Sequence, residues 1–291
     1  MRLINRLFLA LLSCALSVGV FAQTQDSTVV AAKDSVAPKK TKVFLEHANT
    51  LSFDKERNAE AQVLNGDVCF RHDSSYMYCD SAYFFEQTNS LEAFSNVRME
   101  QGDTLFVYGN YLFYDGNTQI AYLRENVRME NGQVTLFTDS LNYDRVYNLG
   151  YFFDGGTLMD EQNVLTSEWG QYNPGTKQSV FNYNVKLVNP QFTLTSDTLE
   201  YNTASKIANI VGPSDILSDN NHIYSEKGTY NTMTGKAYLL DRSILTNEGK
   251  QLTGDSLFYD RNEGLGEAFR NMVLTDTVNK NMMTGEYLSL I

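Results

Sequence analysis

Residues 139–144 read Asp-Ser-Leu-Asn-Tyr-Asp, and the phrase returns as Asp-Thr-Leu-Glu-Tyr-Asn at 197–202 and Asp-Ser-Leu-Phe-Tyr-Asp at 255–260. Looser copies of its last four letters end at Asp54, Glu86, Asp115, Asp144, Asn173, Asn202, Asn231 and Asp260. The first interval is 32 residues and the next six are 29 each. The third letter is aromatic every time: Phe53, Phe85, Tyr114, Tyr143, Tyr172, Tyr201, Tyr230 and Tyr259. Self-similarity at a fixed period of 20–50 residues marks a repeat architecture, so the period is settled before any single element is assigned.

Each letter has a physical task. Leu51, Leu112, Leu141, Leu199 and Leu257 stand two residues before the aromatic. Residues two apart on a strand share a face, so leucine and aromatic form one buried stripe. The fourth letter is Asp or Asn in all but one copy and opens a turn, because its side chain bonds the backbone ahead of it. A small residue follows the turn (Ala61, Ala93, Ala121, Ser179, Ala208, Ala237, Ala268), then a second apolar strand such as Val97-Arg98-Met99 or Val127-Arg128-Met129. Asn131-Gly132 carries the signal of a type I′ hairpin. No segment has a sustained 3.6-residue apolar period. The expectation is an all-β stack of about eight 29-residue units with two antiparallel strands each. Gly or polar residues midway along the strands, at Gly66-Asp67, Gly109-Asn110 and Gly254-Asp255, let them bend into a facing sheet. An elongated open sandwich or jelly roll with a continuous internal seam results, on the order of 75 Å long at about 4.8 Å per strand.

The N-terminus reads as a targeting segment. Arg2 and Arg6 precede an apolar run over 7–21, and Val20 and Ala22 suit a signal-peptidase site. The run is shorter than the roughly 20 residues of a membrane-spanning helix. The expected organisation is a signal peptide at 1–22, a flexible leader at 23–42 and the repeat domain at 43–291, in an exported protein. The chain stops part-way into a ninth unit; it either offers that strand to a partner or continues in a longer protein. Loss of Arg2 and Arg6 takes the formal net charge from −12 to −14. So acidic a chain lacks the Lys/Arg surplus that nucleic-acid binding needs, and 18 Tyr and 17 Phe argue against disorder. Cys69 and Cys79 flank a turn and are a candidate disulfide in an oxidising compartment, two small buried thiols being the other reading.

Chemistry is sparse. His47, His72 and His222 fall at different phases of the repeat and read as surface histidines. Metalloprotease, hydrolase, paired-cysteine and phosphate-loop motifs are absent, so no catalytic residue, metal or cofactor is assigned. Asp139, Glu168, Asp197, Glu226 and Asp255 form an acidic column five residues before the turn letter. It reads as a solvated column, with a ladder for divalent cations as the alternative. Trp169, the only tryptophan, reads as a core or rim residue.

The cadence of 139–144, joined to Asn96-Val97-Arg98-Met99-Glu100 and Asn126-Val127-Arg128-Met129-Glu130, resembles the OstA-like (LptA) family of periplasmic lipopolysaccharide-transport proteins. Gly66-Asp67-Val68 and Asn184-Val185 carry the same half-phrase, and the resemblance spans 43–291. Gly170 and Gly228 depart from it, standing where the phrase has leucine. The resemblance implies a V-shaped β-jelly roll, open at both ends, whose apolar trough holds the acyl chains of lipid A. It implies partners in related jelly-roll domains of inner- and outer-membrane components, with head-to-tail self-association. The lining expected on this basis is Leu51, Phe53, Phe85, Val97, Met99, Leu112, Tyr114, Val127, Met129, Leu141, Tyr143, Tyr172, Leu199, Tyr201, Tyr230, Leu257 and Tyr259. The competing readings are an exported β-repeat scaffold or adhesin with a filled core, and, ranked last, a β-helix polysaccharide-cleaving enzyme.

Overall fold

The computed structural model describes residues 41–53, 60–218 and 220–290. The signal peptide, most of the leader and the turn opened by Asp54 lie outside the described residues. Among those described there is no helix, and 24 strands form one antiparallel sheet folded on itself. Ten strands are ten to twelve residues long and pass through a bend at their middle. The other fourteen, four or five residues long, pair off as seven strands broken at the same bend.

The bend arises from backbone conformation. In Gln62–His72, Ser90–Gln101, Ile120–Asn131, Gln178–Asn189 and Leu265–Asp276, two successive residues take positive φ: 66–67, 95–96, 125–126, 183–184 and 270–271. Each pair sits where the register with the next strand slips, as between Phe94 and Val97 or between Asn182 and Val185. A bulge of this kind bends its strand and changes the strand's direction. Residues before it join one sheet and residues after it join a facing one. The bends at Gly66-Asp67, Gly109-Asn110 and Gly254-Asp255 fall on this line, as the sequence predicts.

The acidic column occupies the same corner, on the intervening strands. Asn271 Nδ2 donates to Asp255 at 2.9 Å and Asn184 Nδ2 to Glu168 at 2.5 Å; Asp80, outside the column as read from the sequence, takes the same role and accepts from Asn96 Nδ2 at 2.8 Å. Asn126 donates its backbone N–H to Asp139 at 3.3 Å. The column is therefore more than a solvated face: several of its acids tie the bulge of one strand to the bend of its neighbour.

The turns on the first sheet behave as the fourth letter predicts. The side-chain oxygens of Asp115, Asp144, Asn173, Asn202, Asn231 and Asp260 accept the N–H two residues on, at 2.8–3.0 Å. The hairpin after Ile120–Asn131 differs. Its loop is Gly132-Gln133, with positive φ at Gly132 and not at Asn131. Asn131 ends the strand with its side chain inside.

Register also revises the cysteines. Cys69 lies opposite Tyr78 while Cys79 lies opposite Val68, so the two thiols point to opposite faces and both are free. The candidate disulfide does not form. Cys79 is buried, Cys69 only partly, and burial pushes the Cys79 thiol up to about 12.

The bend predicts an ordered loss of stability. Asn271→Gly keeps the left-handed conformation and removes one hydrogen bond, for an expected cost of about 1 kcal/mol. Asn271→Val adds a β-branched residue at positive φ and costs a further 1–3 kcal/mol or so in urea unfolding.

Candidate functional site

The seam is built by one row of alternating sizes. Tyr114, Ala121, Tyr143, Gly150, Tyr172, Ser179, Tyr201, Ala208, Tyr230, Ala237, Tyr259 and Gly266 succeed one another across neighbouring strands of the first sheet. Each small residue leaves room for the rings beside it, so large and small side chains alternate along the row. The leucines two residues earlier make a second row, and Val97, Met99, Val127 and Met129 face them from the other sheet. Where Gly170 replaces leucine, the Phe152 ring occupies the space: a Cβ on Gly170 would lie 2.5 Å from it.

Of the predicted lining, Val97, Met99, Leu112, Tyr114, Val127, Met129, Leu141, Tyr143, Tyr172, Leu199, Tyr201, Tyr230, Leu257 and Tyr259 come together in this interior, none more than 3% exposed. Leu51 and Phe53 sit on the short strand Thr50–Phe53, which pairs on one side only, and are 49% and 62% exposed. Phe85 is a correction. Phe84, not Phe85, lies opposite Leu91, which in turn lies opposite Tyr114. Phe84 is therefore the buried ring, and Phe85 points outward. The chain runs one residue out of phase here, and a one-residue slip reverses the face of every side chain.

The side opposite the corner, where the hairpin turns of both sheets meet, is the mouth of the fold. It is closed by polar contacts at the tyrosine tips. Tyr114 Oη meets His72 Nδ1 at 2.6 Å and accepts from Arg145, which also donates to the His72 carbonyl at 3.2 Å. Tyr172 Oη donates to Asn131 at 3.1 Å, and Asn131 also accepts from Lys177. Tyr201 Oη donates to Asp160 at 2.7 Å and accepts from Asn163 at 2.9 Å, while Lys206 Nζ reaches Asp160 at 2.6 Å. Tyr230 Oη accepts from Arg261 at 2.9 Å, and Arg261 crosses to Gln191 at 2.5 Å. Asn131 and Asp160 lie on one sheet and their tyrosines on the other, so these bonds join the two across the mouth. Burial pushes the Tyr114 and Tyr230 hydroxyls up to about 12, so they stay neutral beside the arginines that donate to them.

His72 overturns the surface reading for that residue: it is fully buried. Arg145 can only donate and lies 3.2 Å from Nδ1, which assigns the N–H to Nε2, facing the Thr41 hydroxyl at 2.6 Å. Burial, and next the Arg145 charge, hold the imidazole below its usual range, against the opposing pull of Asp73. His222 is partly exposed and pairs with Asp215 on the neighbouring strand at 2.6 Å. Trp169 is a partly buried rim residue. Among the described residues no cluster of three His, Cys, Asp or Glu side chains is placed to hold a metal ion. Sequence reasoning missed the mouth residues Arg145, Lys177, Lys206, Asn131 and Asp160. The signal available was the 29-residue spacing of Asn131 and Asp160 and of Lys177 and Lys206.

A depressed imidazole pKa means the unfolded chain binds more protons below its ordinary pKa of about 6.5. Stability is therefore expected to fall as pH drops through that value, and urea midpoints of His72→Gln should fall less over the same range. Tyr201→Phe leaves Asp160 and Asn163 short of a partner and should cost about 1–3 kcal/mol in urea unfolding.

With the fold and its interior described, likeness to known proteins can be set against them. No curated protein matches the chain. Among solved structures, LptH is similar to it, titled "the LptA homologous periplasmic component of the conserved lipopolysaccharide transport device from Pseudomonas aeruginosa". The likeness is 15% in sequence and covers 45% of this chain and 96% of that one, with a TM-score of 0.36. The family described as OstA-like protein matches residues 40–197 and 193–255. The match takes in most of the repeat domain, and the chain belongs to the OstA-like family.

Proposed function

We propose that this protein is a periplasmic lipopolysaccharide-transport component that passes lipid along its seam from the inner toward the outer membrane. The observation that carries the reading is the uninterrupted apolar column between the sheets, in a chain of the OstA-like family. A column of leucine, valine, methionine and tyrosine rings suits acyl chains, and no polar row interrupts it along the axis. The strands at either end of the described sheet, 44–53 and Asn281–Leu290, each pair on one side only. Such edges suit pairing with related jelly-roll domains of membrane-bound components, or with a second copy of this chain. The protein performs no reaction in this scheme, and energy for movement comes from its partners.

In the closed arrangement the seam is filled by its own side chains, so an acyl chain gains access only when the mouth parts. The filled interior also favours a second reading, a self-contained β-repeat scaffold.

One experiment separates them. A photo-crosslinking phenylalanine analogue at Leu141, Tyr172 or Leu199, inside the seam, should capture lipopolysaccharide in cells. The same analogue at Phe113, on the outer face, should not. Absence of adducts at every seam position would overturn transport and leave the scaffold.

A further inference from the structure

The mouth holds a charge imbalance that closing it does not require. Lys206 is neutralised where it stands, 2.6 Å from Asp160 and 3.0 Å from Glu161. Arg145, Lys177 and Arg261 are not. Arg145 donates to a tyrosine hydroxyl, an imidazole nitrogen and a carbonyl; Lys177 donates to an amide oxygen; Arg261 donates to a hydroxyl and an amide oxygen. Among the described residues no carboxylate forms an ion pair with any of the three. All three are partly buried, at the turns of one sheet. Turns on that side recur every second strand, about 10 Å apart along the axis, so Arg145 and Lys177 stand one turn apart and Arg261 three turns further on, beyond Lys206. Arg145 and Arg261 reach tyrosines 31 residues before them in the same geometry, so the arrangement repeats.

Half-buried cations bonded only to neutral acceptors gain by exchanging them for an anion, because a phosphate adds Coulomb attraction and, at arginine, a bidentate geometry that a hydroxyl or amide oxygen lacks. On a chain of net charge −12, such a row is out of keeping with the surface at large. We propose that Arg145, Lys177 and Arg261 receive the phosphate groups of an amphiphile whose acyl chains occupy the seam. The inference rests on the transport reading and adds what the mouth recognises. The same exchange withdraws bonds that hold the mouth shut, so headgroup capture and access to the seam become one event.

The test measures binding of diphosphorylated lipid A, dephosphorylated lipid A and inorganic phosphate to the purified protein. Wild type should bind the diphosphorylated lipid roughly tenfold or more tighter than the dephosphorylated one. The combined Arg145→Gln, Lys177→Gln and Arg261→Gln variant should lose that preference and keep its affinity for the dephosphorylated lipid. Lys186→Gln, an exposed cation on the outer face, should leave the preference intact. If the triple variant does not fold, salt decides on wild type: added salt should weaken only the phosphorylated lipid. Equal binding of both lipids by wild type, or a preference that survives the triple variant, overturns the cation row alone. Failure to bind either lipid overturns the transport reading with it. Binding of inorganic phosphate with no gain from the lipid assigns the row to free anions and overturns the headgroup assignment.

Discussion

A strand that stays in one sheet has no use for two successive residues at positive φ. This chain places such pairs in the middle of alternate strands, at intervals of 29 or 30 residues where consecutive pairs are described, as at 66–67, 95–96 and 125–126. Each pair turns its strand through the corner, and the neighbouring strand bends with it, without a bulge of its own. Left-handed backbone is unfavourable for ordinary side chains, so it persists only where the surroundings hold it. Asparagine supplies the tolerance, and the acid on the next strand supplies the bond. The two facing sheets, the seam between them and the mouth opposite all depend on that line of bends.

From the corner the consequences run inward. Fixing the bend fixes which residues face inward, and the row of tyrosines then needs a small neighbour on each side. The Phe152 ring shows how local this requirement is: where leucine is missing at Gly170, an aromatic from the adjacent strand fills the volume. The hydroxyls that cap the rings carry the order outward again, because each must find a partner on leaving the apolar region. Asn131, Asp160 and His72 are those partners, and they make the mouth a polar closure over an apolar interior.

The repeat, the stripe of leucine and tyrosine, the turn letters and the bends could all be read from 139–144 and its copies, because each is a local pattern that recurs. What escaped reading lacks one of those properties. Phe85 stands in the expected column, but the hairpin loop 102–104 has one residue more than the corresponding loop 132–133, which shifts the phase between Phe85 and Tyr114 and puts Phe84 inside instead. The burial of His72 depends on Tyr114 and Arg145, 42 and 73 residues away, and no other unit has a histidine there. Lys177 and Lys206 reach across the mouth to residues 46 positions earlier, a pairing that only the folded register reveals. The cysteines look opposed from their spacing, yet pairing alternates faces and separates them.

The 29-residue unit spans two strands, one bulged and one carrying the acid. The architecture therefore has translational symmetry only in even steps. Removing a whole unit returns every later strand to the same sheet, the same direction and a neighbour of the other kind. Removing half a unit would set bulge beside bulge, leave the corner asparagines without acids and reverse the direction of every strand beyond the cut. Length in this fold is a quantity counted in pairs of strands.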